Sequence, residues 1–132
     1  GTESELISFV YKCLTSGKYI DHGCDVCYGA YTLTPNGEIY PCHFFVNKID
    51  YRMAFFKDGD FDFSNYENVR TVFESLRNLN NPRCEKCWVK PLCHYCPAQL
   101  LLEDEISIVN SCKTRREQQE RVLLQCAKIN LA

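Results

Sequence analysis

Cys84-Glu85-Lys86-Cys87-Trp88-Val89-Lys90-Pro91-Leu92-Cys93-His94-Tyr95-Cys96, residues 84–96, carries four cysteines in thirteen positions, spaced C-x2-C-x5-C-x2-C. Thiolates crowded this closely serve either a metal centre or a set of disulfides. Elsewhere the 132-residue chain holds six more cysteines: Cys13, Cys24, Cys27, Cys42, Cys112 and Cys126. The pairs Cys24/Cys27, Cys84/Cys87 and Cys93/Cys96 repeat one C-x2-C step, which aims thiolates at a common centre more readily than at separate partners. The chain is longer than most disulfide-stapled domains and has an ordinary 45% hydrophobic content. Metal ligation is therefore favoured over a disulfide framework.

Charge and hydropathy exclude other classes. Fifteen Lys and Arg against seventeen Asp and Glu give a net charge of −2, so no basic excess exists to neutralise phosphates and nucleic acid is not an expected partner. The longest apolar runs, such as Leu100-Leu101-Leu102, are far too short to cross a bilayer. No charged segment followed by an apolar one opens the sequence, so no signal peptide is expected. With the cysteines read as thiolate ligands, the expected location is the cytoplasm.

The remaining pattern is that of an α+β domain over residues 1–132, with one β-hairpin and three to four helices organised around metal. Thr2-Glu3-Ser4-Glu5 has capping-box spacing, and Leu6, Ile7, Val10, Tyr11 and Leu14 follow at helical intervals to a stop at Ser16-Gly17. A polar loop with His22 and Gly23 then carries Cys24 and Cys27. Tyr31 to Thr34 and Glu38 to Tyr40 alternate as strands around Pro35-Asn36-Gly37, a turn that returns Cys42 towards Cys27. Residues 43–63 are aromatic-rich and irregular, with a turn at Asp58-Gly59-Asp60, and their rings are expected to pack around the metal sites. Ser64-Asn65-Tyr66-Glu67 has capping-box spacing ahead of a stripe of Val69, Val72, Phe73, Leu76 and Leu79, stopping at Asn80-Asn81-Pro82. A short helix is expected over 97–105, then Cys112 in a loop. Thr114-Arg115-Arg116-Glu117 caps a last helix that buries Val122, Leu123, Cys126 and Ile129. Cys13 and Cys126, on apolar helix faces, read as buried hydrophobes.

Setting those two aside leaves eight cysteines, enough for two four-thiolate centres, and both zinc and [4Fe-4S] clusters accept such a set. The order Cys27-x9-Gly37-x4-Cys42, then Cys84-x2-Cys87-x5-Cys93-x2-Cys96, then Cys112 resembles the SPASM domain, the auxiliary-cluster extension of radical S-adenosylmethionine enzymes. Residues 37–42 (GEIYPC) and 92–98 (LCHYCPA) carry most of the likeness. The family normally has three residues between the last two cysteines of the central run, where this chain has only His94 and Tyr95. The resemblance implies two interleaved [4Fe-4S] clusters. Cys84, Cys87, Cys93 and Cys112 would hold one. Cys27, Cys42 and Cys96 would hold three corners of the other, with Cys24 as the fourth ligand and Cys13 in reserve.

The resemblance further implies electron relay and structural support for a radical S-adenosylmethionine catalytic domain, in the same parent chain, that modifies a peptide or protein. No C-x3-C-x2-C loop occurs in this chain, no catalytic constellation stands out, and no catalytic residue is assigned. The alternative is a structural zinc module that presents a surface to a partner protein; zinc is also what an aerobic preparation would pick up. His22, His43 and His94 each stand beside a candidate ligand and read as surface or outer residues. If the thiols are ligands, a denatured, metal-stripped chain should titrate with about ten reactive thiols under non-reducing conditions. A disulfide-stapled chain would titrate with none.

Overall fold

The computed structural model describes residues 2–19, 24–27, 29–77 and 80–131. The expectations that fall on His22, Gly23 and Leu79 lie outside them. Among the described residues the chain is α+β, with four α-helices and a four-stranded antiparallel sheet. No helix there is long and apolar enough to cross a membrane.

Helix α1 (Glu3–Ser16) begins and ends where its sequence signals lie. The Glu5 N–H donates to Thr2 Oγ1 at 3.2 Å and the Thr2 N–H to the Glu5 carboxylate at 2.8 Å, closing a reciprocal cap. Gly17, at φ +72°, ends the helix. Strands β1 (Thr32–Leu33) and β2 (Glu38–Tyr40) form the expected hairpin, with Thr32 opposite Tyr40 and the Gly37 N–H donating to the Thr34 carbonyl at 3.0 Å.

The sheet is larger than one hairpin. Strands β3 (Ala54–Lys57) and β4 (Asp60–Asp62) continue it in the order β1-β2-β3-β4, within the stretch expected to be irregular. Lys57 pairs with Asp60, leaving Asp58 and Gly59 as a two-residue loop with φ +52° and +83°. Both values are positive, as a tight turn matched to strand twist requires. The rings divide between core and surface. Phe45 and Phe73 are buried, whereas Phe44, Phe56 and Phe63 are each more than half exposed, so the aromatic stretch only partly surrounds the core. Phe55 and Phe56 point to opposite faces because successive strand residues alternate.

Helix α2 (Tyr66–Ser75) buries Val69 and Phe73, but the expected capping box at Ser64 does not form. The helix starts at Tyr66, and the Asn65 amide is drawn away to the Arg52 carbonyl at 3.0 Å. After α3 (Pro97–Leu102), helix α4 runs unbroken over Glu105–Leu131. Cys112 therefore sits within a helix, not in the loop expected for it, and Thr114 is no cap. Asp104 caps α4, accepting the Ser107 N–H at 2.8 Å. The buried stripe of α4 is Ile108, Gln119, Val122 and Cys126, while Ile129 is exposed.

Two hydrophobic clusters result. One gathers Val26, Cys27, Tyr40, Phe45, Met53, Val69, Phe73 and Ala98 from the sheet, α2 and α3. The other gathers Val10, Cys13, Val89, Leu92, Val122 and Cys126 where α1 packs on α4. Gly37 and Gly59 provide a paired test of the sheet. Their φ values match, +82° and +83°, but a Cβ on Gly37 would stand 3.0 Å from Phe56 Cβ, whereas one on Gly59 meets nothing within 4 Å. Gly59→Ala should cost about 1 kcal/mol and Gly37→Ala about 2–3 kcal/mol, read from denaturant midpoints.

Candidate metal centres

Backbone turns decide where the thiols of the 84–96 run point. The Cys84 N–H donates to the Asn81 carbonyl at 2.9 Å and the Cys87 N–H to the Cys84 carbonyl at 3.1 Å. The Lys90 N–H reaches the Cys87 carbonyl at 3.2 Å, and the Cys93 N–H the Lys90 carbonyl at 3.4 Å. Side chains three residues apart lie nearly over one another in such turns. Cys84, Cys87 and Cys93 stand at multiples of three, with Lys90 at the intermediate step, and all four line one cavity of about 170 Å³. That is well beyond the one-water void of ordinary core packing.

The far wall of this cavity is α4. Ile108, Cys112 and Arg115 recur at steps of four and three along one helix face and all line it. Burial raises the Cys84 thiol, and the charges of Cys93, Cys87 and Cys112 add to the rise. Cys93 is likewise raised by burial, against the pull of a hydrogen bond from Arg115, with Cys112 and Cys87 raising it further. Arg115 Nη1 donates to Cys93 Sγ at 3.7 Å and also to the His94 carbonyl.

Cys96 leaves this group. It packs with Cys42 against the sheet-side cluster that contains Cys27, whereas Cys87 and Cys93 pack against the α1–α4 cluster. Cys27 lies between Asp25 and Ala30, whose N–H donates to the Asp25 carbonyl at 3.2 Å, and it holds φ +62°, strained for a residue with a Cβ. Its thiol is pushed up to about 11, first by burial and then by Cys24, with Arg70 opposing and Cys42 adding. Cys42 is raised by burial, the Phe44 backbone opposing, and by Cys96 and Cys24. Among the described residues every resolved thiol–thiol influence stays within one of two quartets: Cys24, Cys27, Cys42, Cys96, or Cys84, Cys87, Cys93, Cys112.

The other candidates fall outside the quartets. Cys13 and Cys126 are 5% and 2% exposed in the α1–α4 cluster, as their apolar settings implied, and Cys126 Sγ lies 3.8 Å from the Ile7 carbonyl. Burial raises both thiols. The His94 ring packs edge-on against Phe9 at 4.5 Å and His43 lies against Phe44 at 4.1 Å. All ten cysteines are free thiols.

Four thiols in each quartet are a donor set that either a tetrahedral zinc ion or a [4Fe-4S] cluster accepts. Four thiolates on one tetrahedral zinc, with bonds of ~2.3 Å, stand only about 3.8 Å apart. Among the described residues no three His, Cys, Asp or Glu side chains are grouped as one metal ion requires. A [4Fe-4S] cluster takes each thiolate at a separate iron, so its ligands stand wider apart, around a space of its own. The cavity described above is lined by all four thiols of the second quartet.

Arg115 and Gln119 were not singled out by sequence. Gln119, 5% exposed, donates from Nε2 to the Leu92 carbonyl at 3.3 Å and so holds the turn that presents Cys93. Their signal was the spacing 108, 112, 115, 119, 122 and 126, which alternates steps of four and three but is interrupted by Arg115 and Gln119. No family model, curated protein or solved structure matches this chain.

The raised thiols make the metal-free fold sensitive to alkali. A folded-state pKa above the unfolded one favours the neutral thiol in the fold, so this stability is complete below about 9 and lost as pH rises through about 11. The urea midpoint of the metal-free chain should fall over that window, and Cys27→Ala should flatten the slope. Metal loading should abolish Cys27's part of it, because a metal-bound thiolate carries no proton.

Proposed function

We propose that this chain is an auxiliary iron–sulfur unit of the SPASM kind. Each quartet holds one [4Fe-4S] cluster, and the two together relay electrons and brace the fold beside a radical S-adenosylmethionine catalytic domain that modifies a peptide or protein. The observation that carries the reading is the division of the 84–96 run between two cores, Cys93 with Cys112 and Cys96 with Cys42. It is consistent with the interleaving that the resemblance to the SPASM domain implies.

The residues have separate tasks in this reading. The three-residue turns present Cys84, Cys87 and Cys93, α4 supplies Cys112, and the β1–β2 hairpin brings Cys42 back towards Cys27. Cys24 is favoured over Cys13 as the fourth ligand of the first cluster, because Cys24 acts on Cys27 and Cys42 whereas Cys13 packs in the other core. With thiols at all eight positions no iron is left open for substrate, which favours relay over substrate ligation. Val89, Tyr95 and Ile108 line the second site and limit water access, a lever on the potential of such a centre. Ten free thiols suit a reducing compartment such as the cytoplasm.

Anaerobic reconstitution followed by iron and sulfide analysis and Mössbauer spectroscopy tests the proposal. About eight irons and eight sulfides per chain are expected. Cys42→Ser and Cys84→Ser should each retain about four. A chain that folds with zinc, stays colourless and never accepts iron would overturn the proposal in favour of a structural zinc module.

A further inference from the structure

The two quartets differ in their positive charge. Arg115 stands three residues beyond Cys112 on α4, so both side chains face the same cavity. Besides its contacts to Cys93 Sγ and the His94 carbonyl, it donates from Nη2 to Gln99 Oε1 at 3.1 Å. Gln99 is itself oriented, donating from Nε2 to the Glu103 carboxylate at 3.3 Å and to the Ser111 hydroxyl. The guanidinium is thus held by three partners from two directions, and among the described residues no carboxylate forms an ion pair with it.

Neighbouring cations are spent elsewhere. Arg83, also at the cavity, is gripped by both oxygens of Glu105 at 2.9 and 2.6 Å. Arg70, the cation acting on Cys27 in the first quartet, is paired with Glu67 at 3.2 Å on the surface. Arg116 lines the cavity but has no resolved bond to a sulfur. Among the described residues, Arg115 thus places an N–H on a candidate ligand, at His94's end of the joint between the quartets.

Resting on the two-cluster reading above, we infer that Arg115 is a positioning residue that makes the second centre, at Cys84, Cys87, Cys93 and Cys112, the more readily reduced of the two. Reduction adds one negative charge that is shared with the ligand sulfurs. A fixed N–H donor and an unneutralised positive charge at one sulfur stabilise that state. With both centres loaded, a single electron would rest on the second centre in preference to the first, because the Arg115 donor at Cys93 would stabilise the reduced state there. Arg115 also ties the Cys93-His94 backbone to α4, which keeps the donor in register with the sulfur.

The test is an anaerobic redox titration of the reconstituted chain followed by electron paramagnetic resonance. The wild type should reduce in two waves, and the wave retained in Cys42→Ser should be the one at higher potential. Arg115→Met should lower the reduced fraction of that wave about tenfold at fixed potential, which is 59 mV for one electron, and leave the other wave in place. Arg115→Lys should give a shift in the same direction but smaller, and it carries the test if Arg115→Met fails to load the second centre. Arg116→Met removes an equal charge without a sulfur contact and should shift the wave much less. Unmoved waves in both Arg115 variants, or equal shifts from Arg115→Met and Arg116→Met, overturn the inference alone. A wild-type chain that takes up no cluster overturns the functional proposal and this inference with it.

Discussion

A backbone turn of three residues, repeated from Asn81 to Cys93, governs this structure. Each step spends an N–H on the carbonyl three residues back, the bonding of a 3-10 turn, so the segment pairs much of its own backbone without an α-helix or a sheet. The same repeat puts side chains at every third position on one side. The Cys84-x2-Cys87 step is thus a conformational device: it presents two thiols together because the turn does. The run thus joins two hydrophobic clusters, contributing Val89 and Leu92 to one, where Cys93 also packs, and touching the other through Cys96.

Helix α4 completes the arrangement through a face of mixed chemistry. Towards its C-terminal half the inward positions, Val122 and Cys126, are apolar and pack on Val10 and Cys13 of α1. Towards its N-terminal half the inward positions are Cys112, Arg115 and Gln119, whose polar groups need partners when desolvated. Arg115 and Gln119 Nε2 find them in the 84–99 segment: a sulfur, the carbonyls of Leu92 and His94, and the Gln99 amide oxygen, while Gln119 Oε1 has no partner among the described residues. One end of the helix is held by burial and the other by hydrogen bonds to the cysteine run, so the site and the fold share one set of contacts.

Local chemistry was readable wherever it is decided locally. Thr2 and Glu5 cap α1 because their spacing closes two short hydrogen bonds, and Gly37 ends its turn because φ +82° excludes most side chains. The β3–β4 hairpin carried an equally local signal, Asp58-Gly59 between aromatic residues, which was read as a turn without its strands. Each of those strands is too short to show alternation of its own. Helix α4 was misjudged for a different reason. Its inward face is interrupted by Arg115 and Gln119, so hydrophobic periodicity starts only where the polar contacts end.

What the sequence determined by itself was the inventory and the local geometry: eight cysteines outside apolar helix faces, their three-residue steps, and a hairpin returning Cys42 towards Cys27. These depend on backbone turns of a few residues, which neighbouring side chains specify. The grouping of thiols that follow one another in the chain was decided only in three dimensions. Cys93 and Cys96 part because each packs against a different core, and those cores are built from residues far along the chain on either side. The cation at Cys93 is likewise a tertiary outcome, since Arg115 reaches the sulfur only when α4 lies along the turns that present it.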